Sequence, residues 1–557
     1  MEKAVIYQIL TRVCCNNSGK NIPGGDISTN GSGKLNSFTP TVLDNIKSMG
    51  ITHIWFTGLI AHASCTSYSE FGIPESHKAT VKGCAGSPYA IRDYYDIDPD
   101  LAESVPDRMA EFQALVDRVH ASGMKFIIDF VPNHVAREYH SIAKPDGIKD
   151  LGENDNPNLE FSPNNNFYYL PGQQLSGEPD WNGYIEFPAK VTGNDIFYAT
   201  PSYSDWYETI KLNYGVDYAG SRQSYFNPIP DTWQKMLDIL LYWADKGVDA
   251  FRCDMAEMVP VEFWNWAVQK VKEVHKGIQF IAEIYNPGAY WTYINIGHFD
   301  YIYDKVGLYE TLRAITQSRE SATAITRCWQ QNGNNAPNML HFMENHDEQR
   351  IASRFFADDA FKGRASMIVS AMIDTCPVMI YAGQEIGERG MDREGYSGLD
   401  GRTTIFDYWA PDALTRLYNN GHWNNAKLSS QERSLRSFYS TLLNICNNER
   451  CISEGKFFDL MYVNPMSDSF NPHKQYTFLR SDGKEAALII TNFSDQPLNT
   501  SVVIPQHAFD YLQLKKKVRV QLKDLLSDQT LQADLHPECR IHVLVSAQSG
   551  VILRWKN

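Results

Sequence analysis

Phe126-Ile127-Ile128-Asp129-Phe130-Val131-Pro132-Asn133-His134 is the stretch on which the reading of the fold turns. A nearly unbroken apolar run of strand length, ended by a proline and followed by polar groups, is how a parallel strand buried on both faces reads. Working outward, similar runs return at Val5 to Leu10, His53 to Thr57, Val248 to Cys253, Gln279 to Glu283, Phe299 to Tyr303, Met339 to Met343 and Val378 to Tyr381. Between them lie segments of helix length with apolar residues three and four apart, at Pro106 to Ser122, Thr232 to Lys246, Val261 to Lys276 and Lys362 to Thr375. Strands alternating with helices in this way predict an α/β chain built on a (β/α)8 TIM barrel.

Two stretches break the alternation. Residues 136–227, between the third and fourth strands, are rich in Asn, Pro, Gly and Tyr and lack helical periodicity. A structureless connection of that length would be abnormal, so an inserted subdomain over the C-terminal mouth of the barrel is expected. Residues 455–557 change to short alternating runs, among them Ala486 to Asn492, Ser501 to Ile504 and Arg540 to Val545, which predict a C-terminal antiparallel β-sandwich. The barrel would then occupy residues 1–135 and 228–454. A chain of 557 residues calls for more than one core in any case, since single cores stop growing at roughly 250 to 300 residues.

A net charge of −15 argues against a nucleic-acid partner or an anionic membrane surface, both of which need clustered Lys and Arg. No apolar run approaches the roughly 18 to 20 residues of a membrane span, and the N-terminal run lacks a secretory apolar core. The ten cysteines show neither the dense spacing of a disulfide scaffold nor a Cys-x-x-Cys pair, so reduced thiols and a cytoplasmic location are expected. Aromatic residues, 12% of the chain, fill cores and also supply the flat apolar platforms that sugar clefts use.

Four charged clusters fall at the C-terminal ends of predicted strands, where barrel enzymes assemble active sites: Asp129 to His134, Arg252-Cys253-Asp254, Ala282-Glu283 and Glu344-Asn345-His346-Asp347. One acid at a strand end is more often a salt bridge or a loop cap; four clusters around one rim point to a site. Cleavage of a glycosidic bond with retention needs one carboxylate to attack and another, held protonated, to protonate the leaving oxygen, the two roughly 5 Å apart. Asp254 and Glu283 on neighbouring strands meet that need. Arg252 shares the face of Asp254 because strand side chains alternate, and its charge would keep Asp254 ionised, while desolvation would keep the proton on Glu283.

On these residues the chain resembles the α-amylase family, glycoside hydrolase family 13, from Val5-Ile6-Tyr7-Gln8-Ile9 through the insertion to the C-terminal sandwich. The resemblance implies that Asp254 is the nucleophile, Glu283 the acid/base and Asp347 the acid that grips sugar hydroxyls, with His134, Arg252 and His346 lining the same subsite. Tyr89-Ala90-Ile91-Arg92-Asp93-Tyr94-Tyr95 is similar to the family's Tyr-x-x-x-Asp-Tyr stretch, which implies substrate contacts for Tyr89 and Asp93. Gly398-Leu399-Asp400-Gly401-Arg402 resembles an Asp-x-Arg loop aimed at the next sugar out, and a surface ion pair of Asp400 with Arg402 is the alternative. Many relatives bind a structural calcium through the Asn of the first signature, here Asn133, with oxygens from the insertion. Asp155, Asp180 and Asp195 are available, yet no compact EF-type loop is present, and Asn133 is equally compatible with hydrogen bonding without metal. No organic cofactor is expected. Trp181, Trp206 and Tyr207 read as sugar platforms or as the insertion's own core.

Where many endo-acting relatives carry Lys-His three and four residues after the nucleophile, this chain has Glu257 and Met258. Methionine offers a sugar no donor and Glu reverses the charge, so a differently built leaving-group side is expected, unless Glu257 caps the helix beginning near Pro260. The expected activity is hydrolysis of α-1,4-glucosidic bonds in starch-derived glucans or maltooligosaccharides through a covalent glycosyl-enzyme. A transferase or isomerase would use the same intermediate, whereas a non-catalytic relative would have lost the acids. The sequence is silent on oligomeric state.

Overall fold

The computed structural model describes residues 3–391 and 395–557. Eight parallel strands close into a barrel: β1 (Val5–Leu10), β2 (His53–Thr57), β3 (Lys125–Phe130), β4 (Ala250–Cys253), β5 (Gln279–Ala282), β6 (Tyr301–Tyr303), β7 (Met339–Phe342) and β8 (Val378–Tyr381). β1 pairs with both β2 and β8, which closes the ring. β4 and β6 begin later than the apolar runs at Val248 and Phe299 suggest. At each entrance an aspartate side chain takes a neighbouring strand's N–H: Phe126 donates to Asp249 (2.7 Å) and Phe280 to Asp300 (2.7 Å).

The helices Arg108–Ala121, Asp231–Asp245, Val261–Val274 and Arg364–Met372 follow the predicted segments closely. In the first of them, Phe112, Leu115, Val116 and Val119 are buried at three-to-four spacing, each contributing about 1.5 to 3 kcal/mol relative to exposure. After β8 the longest helix, Ser430–Asn448, starts on a reciprocal cap between Ser429 and Glu432.

The insertion holds short two-stranded pieces around a small core that includes Tyr168, Leu170, Trp181, Val191 and Tyr207. Its position follows from β3: His134–Ala136 continues beyond the barrel rim and pairs with Thr209–Lys211, so the end of the insertion is laid against the exit of an active-site strand. At the C-terminus a six-stranded and a two-stranded antiparallel sheet enclose a second core of residues such as Leu479, Leu488, Val502, Ile541 and Leu553. Beside the barrel, two strands outside the predicted set, Ile60–His62 and Ile91–Ile97, pair with each other.

Candidate active site

The rim is organised by Arg252, whose side chain is 0% exposed. Its Nη1 stands 2.7 Å from Asp254 Oδ1 and its Nη2 2.7 Å from Glu283 Oε2, and Nε donates to the Tyr303 hydroxyl at 3.1 Å. Asp129 adds a third acid, with Oδ1 3.5 Å from Nη1. The expectation reserved Arg252 for Asp254, whereas the structure divides the guanidinium between two acids. Burial therefore carries Asp254 well above the usual carboxylate range; Arg252 opposes this, and the charge of Glu283 reinforces it.

Glu283 is held differently at its two oxygens. Oε2, besides Arg252, accepts from the N–H of Met255 at 2.8 Å, while Oε1 accepts from the Tyr285 hydroxyl at 2.5 Å. Met255 reaches this position with φ 44°, a left-handed conformation that a methionine rarely adopts. The turn after Asp254 is thus strained in the place where its N–H meets the second acid.

Asp347 closes the third side and is the most open of the three acids, its side chain 39% exposed. Burial pushes its carboxyl up, but the His346 ring at 3.0 Å, aided by Arg252 and Arg402, outweighs this and holds it below the usual range. His346 is fixed by Gln8 at Nδ1 (2.7 Å) and by the Tyr89 hydroxyl at Nε2 (2.6 Å). Tyr89 stacks on that ring, with centroids 5.1 Å apart, and Arg252 lies 5.4 Å from the tyrosine centroid. Burial, with the positive charges of Lys211 and Lys82, lowers His134 to about 3, so its ring is neutral at physiological pH.

Asp254, Glu283, Asp347, Tyr89 and His134 line one cavity of about 320 Å³, which Lys82, Ser87, Trp206, Glu208, Thr209, Met255, Tyr285, Ile405 and Phe406 complete. Among the insertion's aromatics, Trp206 faces the cavity and lies 5.2 Å from His134, whereas Trp181 and Tyr207 are buried in the insertion's core.

Five predicted substrate contacts fall outside the lining: Arg252 and His346, which stand behind the three acids as described above, and Asp93, Asp400 and Arg402. Asp93 is buried, and its carboxylate accepts from Tyr95 N (2.9 Å), Ser141 Oγ (2.5 Å), Ile142 N (2.7 Å) and Ala143 N (3.1 Å). It braces the root of the insertion instead of meeting substrate. Asp400 and Arg402 pair with each other at 2.8 Å, and Arg402 Nε donates to the backbone oxygen of Asp347 at 2.5 Å. They stand behind Asp347 and support its loop.

Asn133 does not fit a calcium ligand. Its Oδ1 accepts from the Lys211 ammonium at 2.8 Å, its Nδ2 donates to Gly193 O at 2.8 Å, and Lys211 in turn stands 2.6 Å from Asp195 Oδ1. The one oxygen that Asn133 can offer already meets a buried cation, and a second cation beside it would be repelled. Asp155 has its oxygens on Asn166 N, Phe167 N and the Tyr169 hydroxyl. No group of three or more His, Cys, Asp or Glu side chains suited to a metal occurs among the described residues. Prolonged chelation is therefore expected to leave thermal unfolding unchanged. Lys211→Met, which leaves Asn133 Oδ1 unpaired, is expected to cost about 1 to 3 kcal/mol in a denaturant titration. A chelator-induced fall in Tm, reversed by calcium, would contradict this.

Glu257 takes a role other than the two the sequence suggests, and Tyr303 is a contributor the sequence does not mark. Glu257 neither caps the helix Val261–Val274 nor faces the cavity: its carboxylate accepts from Tyr285 N (3.2 Å) and Asn286 N (3.2 Å), fixing the loop that presents Tyr285. Tyr303 ends β6 as the acids end their strands, but a tyrosine inside an apolar run carries no signal of an arginine partner.

The family profile described as "Alpha amylase, catalytic domain" matches residues 8–441. Alpha-amylase 3 of Dictyoglomus thermophilum is 22% identical over 480 residues, covering 82% of this chain and 79% of that protein. Neopullulanase 2 of Thermoactinomyces vulgaris is 22% identical over 403 residues, 70% of this chain and 57% of its own length. The intracellular maltogenic amylase of Bacillus subtilis (strain 168) is 25% identical over 354 residues, 62% of this chain and 48% of its own. Among solved structures, a noncanonic maltogenic α-amylase, AmyB, from Thermotoga neapolitana superposes with a TM-score of 0.62 at 19% identity, covering 100% of this chain and 99% of that one. Because the profile match runs from within β1 to the long helix after β8, through every rim acid, the chain belongs to the α-amylase family, glycoside hydrolase family 13.

Proposed function

We propose that the chain is a retaining glycosidase that cleaves α-1,4-glucosidic bonds in maltooligosaccharides and starch-derived glucans through a covalent glycosyl-enzyme. The observation that carries this reading is one buried guanidinium shared between Asp254 and Glu283. It brings the two carboxyls together on adjacent strands, compatible with the separation of about 5 Å that retention requires. In the reactive state one of the two acids is ionised and attacks while the other carries the proton that it donates.

Asp254 attacks the anomeric carbon, and Glu283 protonates the departing glycosidic oxygen through Oε1, since Oε2 is tied to Arg252 and Met255. The resulting glucosyl ester is then opened by a water that Glu283 deprotonates, returning Asp254 as a carboxylate. Asp347, held in place by His346, binds ring hydroxyls, which draw closer as the sugar flattens toward an oxocarbenium ion, and Tyr89 offers an apolar face. On the leaving side Glu257 is committed to backbone, so Met255 and Tyr285 line that wall where the Lys-His pair of endo-acting relatives would stand. This supports a preference for short oligosaccharides over random cleavage of long starch. Ten free thiols, with a relative named as intracellular, support a cytoplasmic setting.

Proton NMR of the first products from maltotetraose tests the stereochemistry. We expect the α-anomer to appear first and to mutarotate afterwards. Initial β-anomer would overturn the assignment of Asp254 as nucleophile.

A further inference from the structure

One charged pair in the cavity has no part in the chemistry above. Lys82 and Glu208 are 9% and 5% exposed, and Lys82 Nζ stands 2.9 Å from Glu208 Oε2. Both line the catalytic cavity. Taking two charges out of water is costly, and a structural ion pair of this kind is often no better than two apolar side chains. Its location next to a neutral substrate therefore calls for a reason.

The surroundings make this wall rigid. Lys82 Nζ also donates to Asp205 O at 3.2 Å and lies 5.1 Å from the Tyr207 ring centroid, which joins the loop after β2 to the insertion. Gly83, with φ 67°, brings the same loop so close to the segment after β8 that a Cβ there would stand 2.2 Å from Phe406 O. The insertion is in turn tied to that segment by the Tyr207 and Tyr396 hydroxyls, 2.8 Å apart, and Tyr396 packs edge-on against Phe406 at 5.2 Å. Three separate loops are laced together around the pair.

The side of the cavity follows from the chemistry. Glu283 must face the leaving oxygen, so the departing chain exits past Met255 and Tyr285. The sugar that stays on Asp254 extends away from that exit, and Lys82, Glu208 and Phe406 line the same cavity. An ammonium that donates beside a carboxylate that accepts matches two adjacent hydroxyls. At the non-reducing end of an α-1,4-glucan the oxygen at carbon four is a hydroxyl and can donate to Glu208. In an interior residue the same oxygen is an ether, with no proton to give and another sugar attached, so Glu208 would gain no donor beyond Lys82 and the added sugar would meet the wall.

We propose that the Lys82–Glu208 pair is the stop of the glycone side: it binds the terminal hydroxyls of the chain and confines cleavage to short units released from non-reducing ends. This rests on the roles given above to Asp254 and Glu283.

The test compares maltoheptaose with maltoheptaose whose terminal non-reducing hydroxyls are capped by a cyclic acetal, products being separated by chromatography. The wild-type protein is expected to cleave the capped sugar at least about a hundredfold more slowly, because the cap removes both donors and adds bulk. Lys82→Ala and the isosteric Glu208→Gln are expected to raise the capped-to-uncapped rate ratio by about tenfold or more. Taking the ratio within each preparation cancels any loss of folded protein, and Glu208→Gln preserves the packing if Lys82→Ala does not fold. Equal cleavage of both sugars by the wild-type protein, or an unmoved ratio in Glu208→Gln, would overturn the proposal while leaving the catalytic roles intact. Failure to cleave either sugar, with no covalent label on Asp254, would remove the catalytic reading and this proposal with it.

Discussion

Asp254→Asn is expected to lower kcat on maltooligosaccharides by on the order of 10⁴-fold or more while the circular dichroism spectrum and Tm stay close to wild type. The amide fits the same space but cannot form the glycosyl ester. Stability should hold because the substitution removes one of three acids crowded around Arg252, leaving Glu283 and Asp129 with the whole of its charge. Glu283→Gln should be comparably slow on ordinary substrates, and the losses should not multiply in the double variant, since the two acids act in one step. A variant of Asp254 that keeps more than about a tenth of wild-type turnover would remove it from the mechanism.

Arg252→Met is expected to have the largest effect on stability of any single change at the rim. Its guanidinium is buried and is the cation nearest to Asp254, Glu283 and Asp129, so an apolar replacement strands acidic side chains without a counter-charge. The expected loss at neutral pH is about 3 to 5 kcal/mol. The sign of the pH dependence follows from burial, which already raises Asp254 above its unfolded value, and losing Arg252 raises it further. A carboxyl with a raised folded pKa binds its proton more tightly in the native state, so stability falls as pH rises through that window and recovers below it. The variant should therefore regain stability as pH is lowered toward the carboxylate range. Its residual activity should begin at higher pH than in the wild-type protein, because ionised Asp254 is needed for attack. Denaturant titrations across pH check the first point and a kcat profile the second; a flat stability difference would show that Arg252 acts through packing alone.

The barrel and its rim were legible because both are local signals. Strands buried on both faces show as apolar runs, and the acids follow directly in the chain, as Asp254 follows β4 and Glu283 follows β5. What was not legible depends on partners brought from a distance. Asn133 resembles a calcium ligand until Lys211, 78 residues later, is placed against its oxygen. Asp93 resembles a substrate contact until Ser141, 48 residues later, and the amides that follow it take its carboxylate. Glu257, expected to shape the leaving-group side unless it capped the helix at Val261, is set against the next loop, where two amide N–H groups need an acceptor. Lys82 and Glu208 carry no shared motif, and only the folded insertion makes them neighbours.

On this mechanism Asp254 becomes glucosylated. A ring-fluorinated α-glucosyl fluoride tests it directly: fluoride leaves without help from an acid, while the ring fluorine slows departure of the sugar from the enzyme, so the intermediate accumulates. Proteolysis and mass spectrometry of the treated protein should find one fluoroglucosyl group, on the peptide carrying Asp254, and none in Asp254→Asn. A label on Glu283 or Asp347, or turnover without any labelled protein, would contradict the account.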